Sequence, residues 1–415
     1  MKIKRFIASL LSITLIGLSM PVFSSIAEIS VTANADEIYD DFQITKFDDH
    51  VEISKYTGEA SNVTIPSEID GLPVTSIGDE AFISCYSIES IIIPDSVTSI
   101  CTEAFSNCRY LTSITIPDSV TSIGDSAFVG CTKLESIIIP DSVTSIGHGT
   151  FYNCHNLISV TIPDSVTSIE GNAFGNTQWI INKRKENPLV IVNGLLIDGQ
   201  ICSGDVVIPD TVTDICNFAF RDCSRITSIT IPDSVKNIGN LSFAYCTALT
   251  SITIPDSVKN IGYGAFRLCE KLKSITILSL ECSISEDSET FSDSYDYDSE
   301  TDVYTGVFNC YADSTAETYA QKHGFDLEII PFTPGDVTID GIITGSDATW
   351  ALQAYTLLSS GKDHGLTDIQ FRAADVTGDG IITGSDATII LNYYTYLSSI
   401  KADEKTLSLE EWMRS

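Results

Sequence analysis

Two segments near the C-terminus place oxygen-bearing side chains at a spacing suited to a hard divalent cation. Asp336, Thr338, Asp340, Thr344 and Asp347 stand at positions 1, 3, 5, 9 and 12 of the first. Asp375, Thr377, Asp379, Thr383 and Asp386 repeat those positions in the second. Gly341 and Gly380 fall at position 6, where a sharp turn gathers the ligands, and Ile342 and Ile381 at position 7, which supplies a backbone carbonyl. Calcium takes several oxygen ligands in such an arrangement. One match can arise by chance; a duplicate at fixed offset predicts two calcium sites. The first carries Ile339 where the second has Gly378, which predicts weaker binding at the first.

Such loops need helices to hold their exit ends. Ala348 to Leu358 and Ala387 to Leu397 carry apolar residues on one side and predict one helix after each loop, with no helical pattern before it. With aspartate rather than glutamate at position 12, the stretch from about Gly335 to Ile400 resembles a type I dockerin, a small all-α module with two EF-hand-like calcium loops. It departs from the commonest dockerin pattern in Thr338, Thr344, Thr377 and Thr383, where asparagines are frequent. The resemblance implies docking on a cohesin domain of a scaffolding protein in a cellulosome-type complex. It also implies partner contacts at Gly345, Ser346, Leu352 and Gln353 in one copy and at Gly384, Ser385, Leu391 and Asn392 in the other. Both copies read Gly-Ile-Ile-Thr-Gly-Ser-Asp-Ala-Thr, so two rotated binding modes are expected. So small a module has little core, and metal binding should supply much of its folding free energy.

The rest of the chain is organised by repetition. Ile-Pro-Asp-Ser-Val recurs with prolines at 94, 117, 140, 163, 232 and 255, and as Ile-Pro-Asp-Thr-Val at Pro209. Phe82, Phe105, Phe128, Phe151, Phe174, Phe220, Phe243 and Phe266 keep the same beat, with Ile197 expected in the one vacant slot. In one unit, Ile114 and Ile116 alternate with Thr115 as in a short half-buried strand, and Pro117 ends it. Asp118 and Ser119 are expected to turn the chain through nearby amides. Val120, Ile123, Ala127 and Phe128 then follow at helical or 3₁₀ spacing. A single coil cannot bury this face, so coils must stack. The units from about Val63 to Ile277 resemble the BspA-like class of leucine-rich repeats. The segments Tyr56 to Val63 and Asp313 to Ala320 resemble that family's flanks. The implied fold is an α/β repeat, a leucine-rich-repeat solenoid of 23-residue units.

The exposed strand face should present Ser90/Ile92, Ser113/Thr115, Ser136/Ile138, Ser228/Thr230 and Ser251/Thr253. This row offers no aromatic platform and no basic groove, so its target is left open between a protein and a carbohydrate. Ile92 and Ile138 fit β-propensity better than a dedicated contact patch.

Several constellations carry no catalysis. Asp95, Asp118, Asp141, Asp164, Asp233 and Asp256 recur in near-identical surroundings, whereas glycoside hydrolysis needs two carboxylates in contrasting ones. His50, His148, His155, His323 and His364 form no nucleophile or zinc motif. Cys85, Cys108, Cys131, Cys154, Cys223, Cys246 and Cys269 fill one column and are expected to pack as reduced thiols. The acidic run Asp287 to Asp302, with Asp293, Asp296, Asp298 and Glu300, is expected to be a solvated loop insertion.

Lys2, Lys4 and Arg5 precede an apolar run from Phe6 to Leu18, and Ala33-Asn34-Ala35 offers a cleavage site, with an earlier one after Ala27; residues 1–35 therefore read as a secretory signal peptide. The chain's net charge of −33 argues against nucleic-acid binding and against anionic membranes, and no later run is long enough to span a bilayer. The expected division is a leader at 1–35, the solenoid with its flanks at 36–333, the calcium module at 334–400 and a tail at 401–415. The expected function is that of a secreted, non-enzymatic binding adaptor held in an extracellular polysaccharide-degrading assembly. A hydrolase subunit and a cell-surface adhesin are the alternatives.

Overall fold

The computed structural model describes residues 37–297, 301–339, 342–400 and 406–414. The leader, with Ala27 and Ala35, lies outside the described residues, as do Asp298, Glu300 and Asp340. An antiparallel cap opens the fold, with strands Glu37–Tyr39, Phe42–Lys46 and Val51–Tyr56. Val51–Tyr56 pairs in parallel with Leu72–Ile77, which starts the stack.

Each coil then contributes two short strands, because Pro removes a donor between two stretches of alternating burial. Ser113–Thr115 pairs in parallel with Ser90–Ile92 in register, Ile114 opposite Ile91. Ser122–Ile123 pairs with Ser99–Ile100 in the same way. The serine after each Pro-Asp does not cap a nearby amide. Ser119, Ser142 and Ser257 donate instead to the valine carbonyl one coil back, at 2.6, 2.5 and 2.8 Å, while Asp118 faces solvent.

The third side of the coil is not helical. Val120, Ile123, Ala127 and Phe128 are buried as their spacing implies, but the backbone there forms turns whose amides bond to the next coil. Phe105 N donates to Ala127 O and Phe128 N to Thr150 O, at 2.7 and 2.9 Å. Residues such as Ser126, φ 55°, take left-handed conformations that aim these amides along the stack. Inter-coil bonds therefore run along all three sides, and a helix would have consumed the third set internally.

The phenylalanines stack face to face along the axis, with ring centroids 5.0–5.5 Å apart from Phe82 to Phe174 and from Phe220 to Phe291. Beside them Cys108, Cys131, Cys154, Cys246 and Cys269 donate to the phenylalanine carbonyl of the preceding coil, as Cys131 does to Phe105 O at 3.2 Å and Cys154 to Phe128 O at 3.0 Å. All twelve cysteines are free, and burial pushes thiols such as Cys108 up to about 12.

The sequence register slips in two places. In the first, Thr177 takes the cysteine slot and caps helix α1 (Gln178–Glu186), accepting from Ile180 N. The following coil is shortened: Leu196 pairs with Ile215, and Gly199 N donates to Ala219 O, as a column phenylalanine would. Gly199, not Ile197, therefore holds the phenylalanine slot. A Cβ at Gly199 would lie 2.2 Å from the Phe220 ring, so only glycine fits beneath it. Cys202 joins the cysteine column, its N–H bonded to Gly199 O. The hydrophobic core divides here into two clusters, one ending at Leu195 and the next beginning at Leu196.

The second slip is the acidic run, and it is no loop insertion. Phe291 continues the ring stack and Ser292 O accepts from Cys269 N. An antiparallel hairpin, Ser294–Asp296 with Thr301–Val303, projects from that rung. Its base is buried: Asp302 pairs with Arg267 at 2.7 Å and Asp293 with Lys273 at 2.6 Å. Burial alone would raise the Asp293 pKa, but Lys273, Thr305 and Ser294 hold it below the ordinary carboxylate value. The solenoid closes with Val307–Cys310, helix α2 (Thr315–His323) and Asp326–Ile329, whose strands extend the parallel sheet.

The C-terminal module is built from helices α3 (Gly345–Ser359), α4 (Asp368–Ala374) and α5 (Gly384–Ser399) around Val337, Ile343, Ala351, Ala373, Ile382 and Ile390. Helix α4, which leads directly into Asp375 of the second loop, is a helix that the sequence pattern did not predict. Residues 406–414 fold back onto it. In α6 (Leu409–Met413), Leu409 is buried and Trp412 lies against Tyr393 and Tyr396. The module is seated on the last coils by Lys259–Asp368 at 2.6 Å and by Arg372, which donates to Ala312 O and Asp313.

Candidate metal centre and docking face

Each calcium-type loop is pinned by its last carboxylate. Asp386 and Asp347 are fully buried in the first turns of α5 and α3. Asp386 Oδ1 accepts from the Thr377 amide and hydroxyl at 3.1 and 3.0 Å, and its Oδ2 from the Thr383 amide and hydroxyl at 2.9 and 2.8 Å. Asp347 repeats this with Thr338, at 2.8 and 2.9 Å, and with Thr344, at 2.7 and 3.0 Å. Thr344 and Thr383 are the N-caps of their helices, and each completes a capping box with the aspartate. Burial by itself would raise the Asp386 pKa; the bonds from Thr383 and Thr377 outweigh it and hold the carboxyl below its usual range.

In the second loop, Asp375 gathers the turn. Its Oδ1 accepts from Gly378 N at 2.8 Å and its Oδ2 from Gly380 N at 2.7 Å, while the Thr377 hydroxyl reaches it at 3.2 Å. Thr377 thus links the first and last carboxylates of its loop. Asp379 accepts from Ile381 N at 2.9 Å. In the first loop Asp336 is buried, Ile342 is exposed, and Asp340 lies outside the described residues. Asp375, Thr377, Thr383 and Asp386 of the second loop are therefore brought together, as are Thr338, Thr344 and Asp347 of the first; among the described residues no three carboxylates gather as a metal-holding cluster.

The donor set fits calcium by its chemistry. Carboxylates, hydroxyls and a backbone carbonyl are hard oxygen ligands without competing nitrogen or sulfur. The two loops differ at one backbone position: Gly378 has φ 71°, which glycine adopts freely, whereas Ile339 holds φ 57°, a strained state for a β-branched residue.

The residues expected to touch a partner fall on α3 and α5, most of them exposed. Ser346, Leu352, Gln353, Ser385, Leu391 and Asn392 are exposed, Leu352 at 51% and Leu391 at 48%. Gly345 and Gly384 are half-buried, each beneath a tyrosine of the opposite copy, Tyr394 and Tyr355. These tyrosines, with Trp350, are further exposed apolar groups beside the expected contacts. Their identical place in the two repeats, Tyr355 in one and Tyr394 in the other, was the signal available in sequence. On the solenoid, Ile92 and Ile138 are exposed at 62% and 68%, and Val207 joins their row at 68%.

A stack of repeat coils closed by a duplicated loop-helix module defines a class of modular binding protein. Residues 75–186 and 201–297 match the BspA type leucine rich repeat region in six copies, just over half of the chain, and the chain belongs to that family. Residues 334–394 match the type I dockerin domain. Both are binding modules rather than catalytic ones, and type I dockerins bind calcium. Comparison with curated proteins gave no match. Among solved structures, a leucine-rich-repeat protein of T. pallidum is 28% identical, with 52% of this chain and 90% of that one covered and a TM-score of 0.36. A leucine-rich cell surface protein of Faecalibacterium prausnitzii is 26% identical, with coverages of 60% and 89% and a TM-score of 0.31. A leucine-rich-repeat protein of Eubacterium ventriosum is 21% identical, with coverages of 67% and 79% and a TM-score of 0.40. No helix among the described residues is long and apolar enough to cross a membrane.

Proposed function

We propose that this protein is a secreted, non-catalytic adaptor whose C-terminal module, organised by two calcium ions, docks on a cohesin of a scaffolding protein in a cellulosome-type assembly that degrades polysaccharide. The leader at 1–35 directs export, residues 36–333 form the display surface, and residues 334–400 form the plug. Asp336, Thr338, Asp340, Ile342, Thr344 and Asp347 hold one ion; Asp375, Thr377, Asp379, Ile381, Thr383 and Asp386 hold the other. Bound calcium neutralises the clustered carboxylates and fixes the loops that start α3 and α5.

The observation that carries this reading is the duplication itself. Two buried aspartates, each tied to two threonines, start two helices that leave Ser346/Leu352 and Ser385/Leu391 exposed. A catalytic subunit would need carboxylates or nucleophiles in contrasting environments. The aspartates of the solenoid turns, such as Asp95, Asp118, Asp141, Asp164 and Asp233, share one solvent-facing environment instead.

The test is capture of the calcium-loaded protein by immobilised cohesins of the host's scaffolding proteins. Capture that is lost in EDTA supports docking, and failure with every cohesin removes the proposal. If one Gly-Ser pair suffices, Gly345→Asp with Ser346→Asp leaves capture nearly intact and only the quadruple change, with Gly384 and Ser385, abolishes it. Release of soluble sugar from a polysaccharide panel by the purified chain would instead favour a hydrolase.

A further inference from the structure

The shortened coil leaves a gap in the inter-coil ladder. Elsewhere the turn amides donate to the next coil: Gly149, Phe151 and Asn153 to Gly171, Ala173 and Gly175, and Phe218, Phe220 and Asp222 to Asn240, Ser242 and Ala244. The equivalent amides of the next coil along, Asn172, Phe174 and Asn176, find no acceptor among the described residues. The turn that should supply it is cut to Ile197 and Asp198. Across the gap the Asn217 carbonyl has likewise lost the donor that its counterpart His148 O receives from Ser126 N.

Asn172, Phe174, Asn176 and Asn217 line a cavity of about 210 Å³, room for several waters. Glu170, Arg184, Asp198, Gln200 and Asn217 line it, together with the Tyr152 and Phe218 side chains. Arg184 is held in a two-pronged pair with Asp198, at 2.8 and 2.6 Å, and also bonds Gln200 at 2.7 Å. Asn217 donates to Glu170 at 2.5 Å. The polar side chains are thus fixed before any ligand arrives, which lowers the ordering cost of binding. Phe218, at φ 63°, reaches across to Gly171, where a Cβ would lie 2.1 Å from its ring.

We infer that this cavity is a binding site for a neutral saccharide unit. Unpaired donors on one wall and an unpaired acceptor on the other call for groups that both accept and donate, as hydroxyls do. Fixed amides and carboxylates suit neighbouring hydroxyl pairs, and the rings of Tyr152 and Phe218 offer apolar surface to a sugar's C–H face. A cation would meet the N–H wall. An anion would meet Glu170 in a chain of net charge −33. The site lies on the solenoid and is independent of cohesin docking.

The test is calorimetric titration of the full-length, calcium-loaded protein with glucose, galactose, mannose and xylose, and with glucuronate as the charged counterpart. At least one neutral sugar should bind with a Kd of about 1–10 mM, ordinary for a single small site. Gln200→Trp, at an exposed position, should block the mouth and abolish the heat, and Glu170→Gln should weaken binding by about fivefold or more. Cohesin capture should be unchanged in both, so failure here leaves the docking proposal standing. No heat with any neutral sugar, equal binding by Gln200→Trp, preference for glucuronate, or a soaked crystal holding only water in the cavity would each overturn the inference.

Discussion

Phe128 sits between Phe105 and Phe151 in the solenoid, ring on ring, with a thiol column beside it. In the C-terminal module the fully buried positions at the helix starts are Asp347 and Asp386. The first region is held by apolar area added coil by coil, and each coil needs only its neighbours. The second has a small core of valine, alanine and isoleucine and buries two carboxylates, each compensated by four hydrogen bonds from two threonines. On the proposed reading, the same chain pairs a self-sufficient solenoid with a docking module whose fold depends on bound calcium.

That contrast breaks most visibly when calcium is removed. EDTA in excess should abolish the helical circular dichroism of α3 and α5 and all cohesin binding, while the β signal of the solenoid and its melting temperature stay in place. An unchanged helical signal would mean that the module folds on packing alone. The converse perturbation is Phe128→Ala, which should cost about 3–5 kcal/mol by opening a cavity in a stack that cannot collapse. Denaturant unfolding should show the loss in the solenoid transition only; a matching shift in the module would mean that the two regions fold as one.

A smaller change sharpens the difference between the two loops. Ile339→Gly removes a left-handed isoleucine and should stabilise the calcium-loaded module by about 1–2 kcal/mol, read as tighter calcium binding at the first site. Gly378→Ile should do the reverse at the second. Smallest of all is the seat between the regions. Arg372→Ala removes the bonds to Ala312 O and Asp313, and part-exposed ion pairs are worth about 0–1 kcal/mol. Melting temperatures should hardly move, but limited proteolysis at Pro331 to Pro334 should quicken as the module swings free.

The amino-acid sequence alone specified the period, the buried columns and the aspartates and threonines that the second loop brings together. Each depends on spacing within a few residues: Ile114 and Ile116 straddle Thr115, and Asp375, Thr377 and Asp386 share one turn and one helix start. Its reading failed where the register slipped. Gly199 fills a phenylalanine slot because a hydrogen bond to Ala219 O places it there, and Phe291 continues the ring stack although its spacing from Phe266 departs from the period. The hairpin base at Asp293 and Asp302, the return of Leu409 and Trp412 onto the module, and the open amides of Asn172, Phe174 and Asn176 belong to the same group. All are set by partners one coil or more away in the chain. Hydrophobic spacing records which face of a segment is buried, but only the folded stack decides which neighbour it meets, and where a rung is missing.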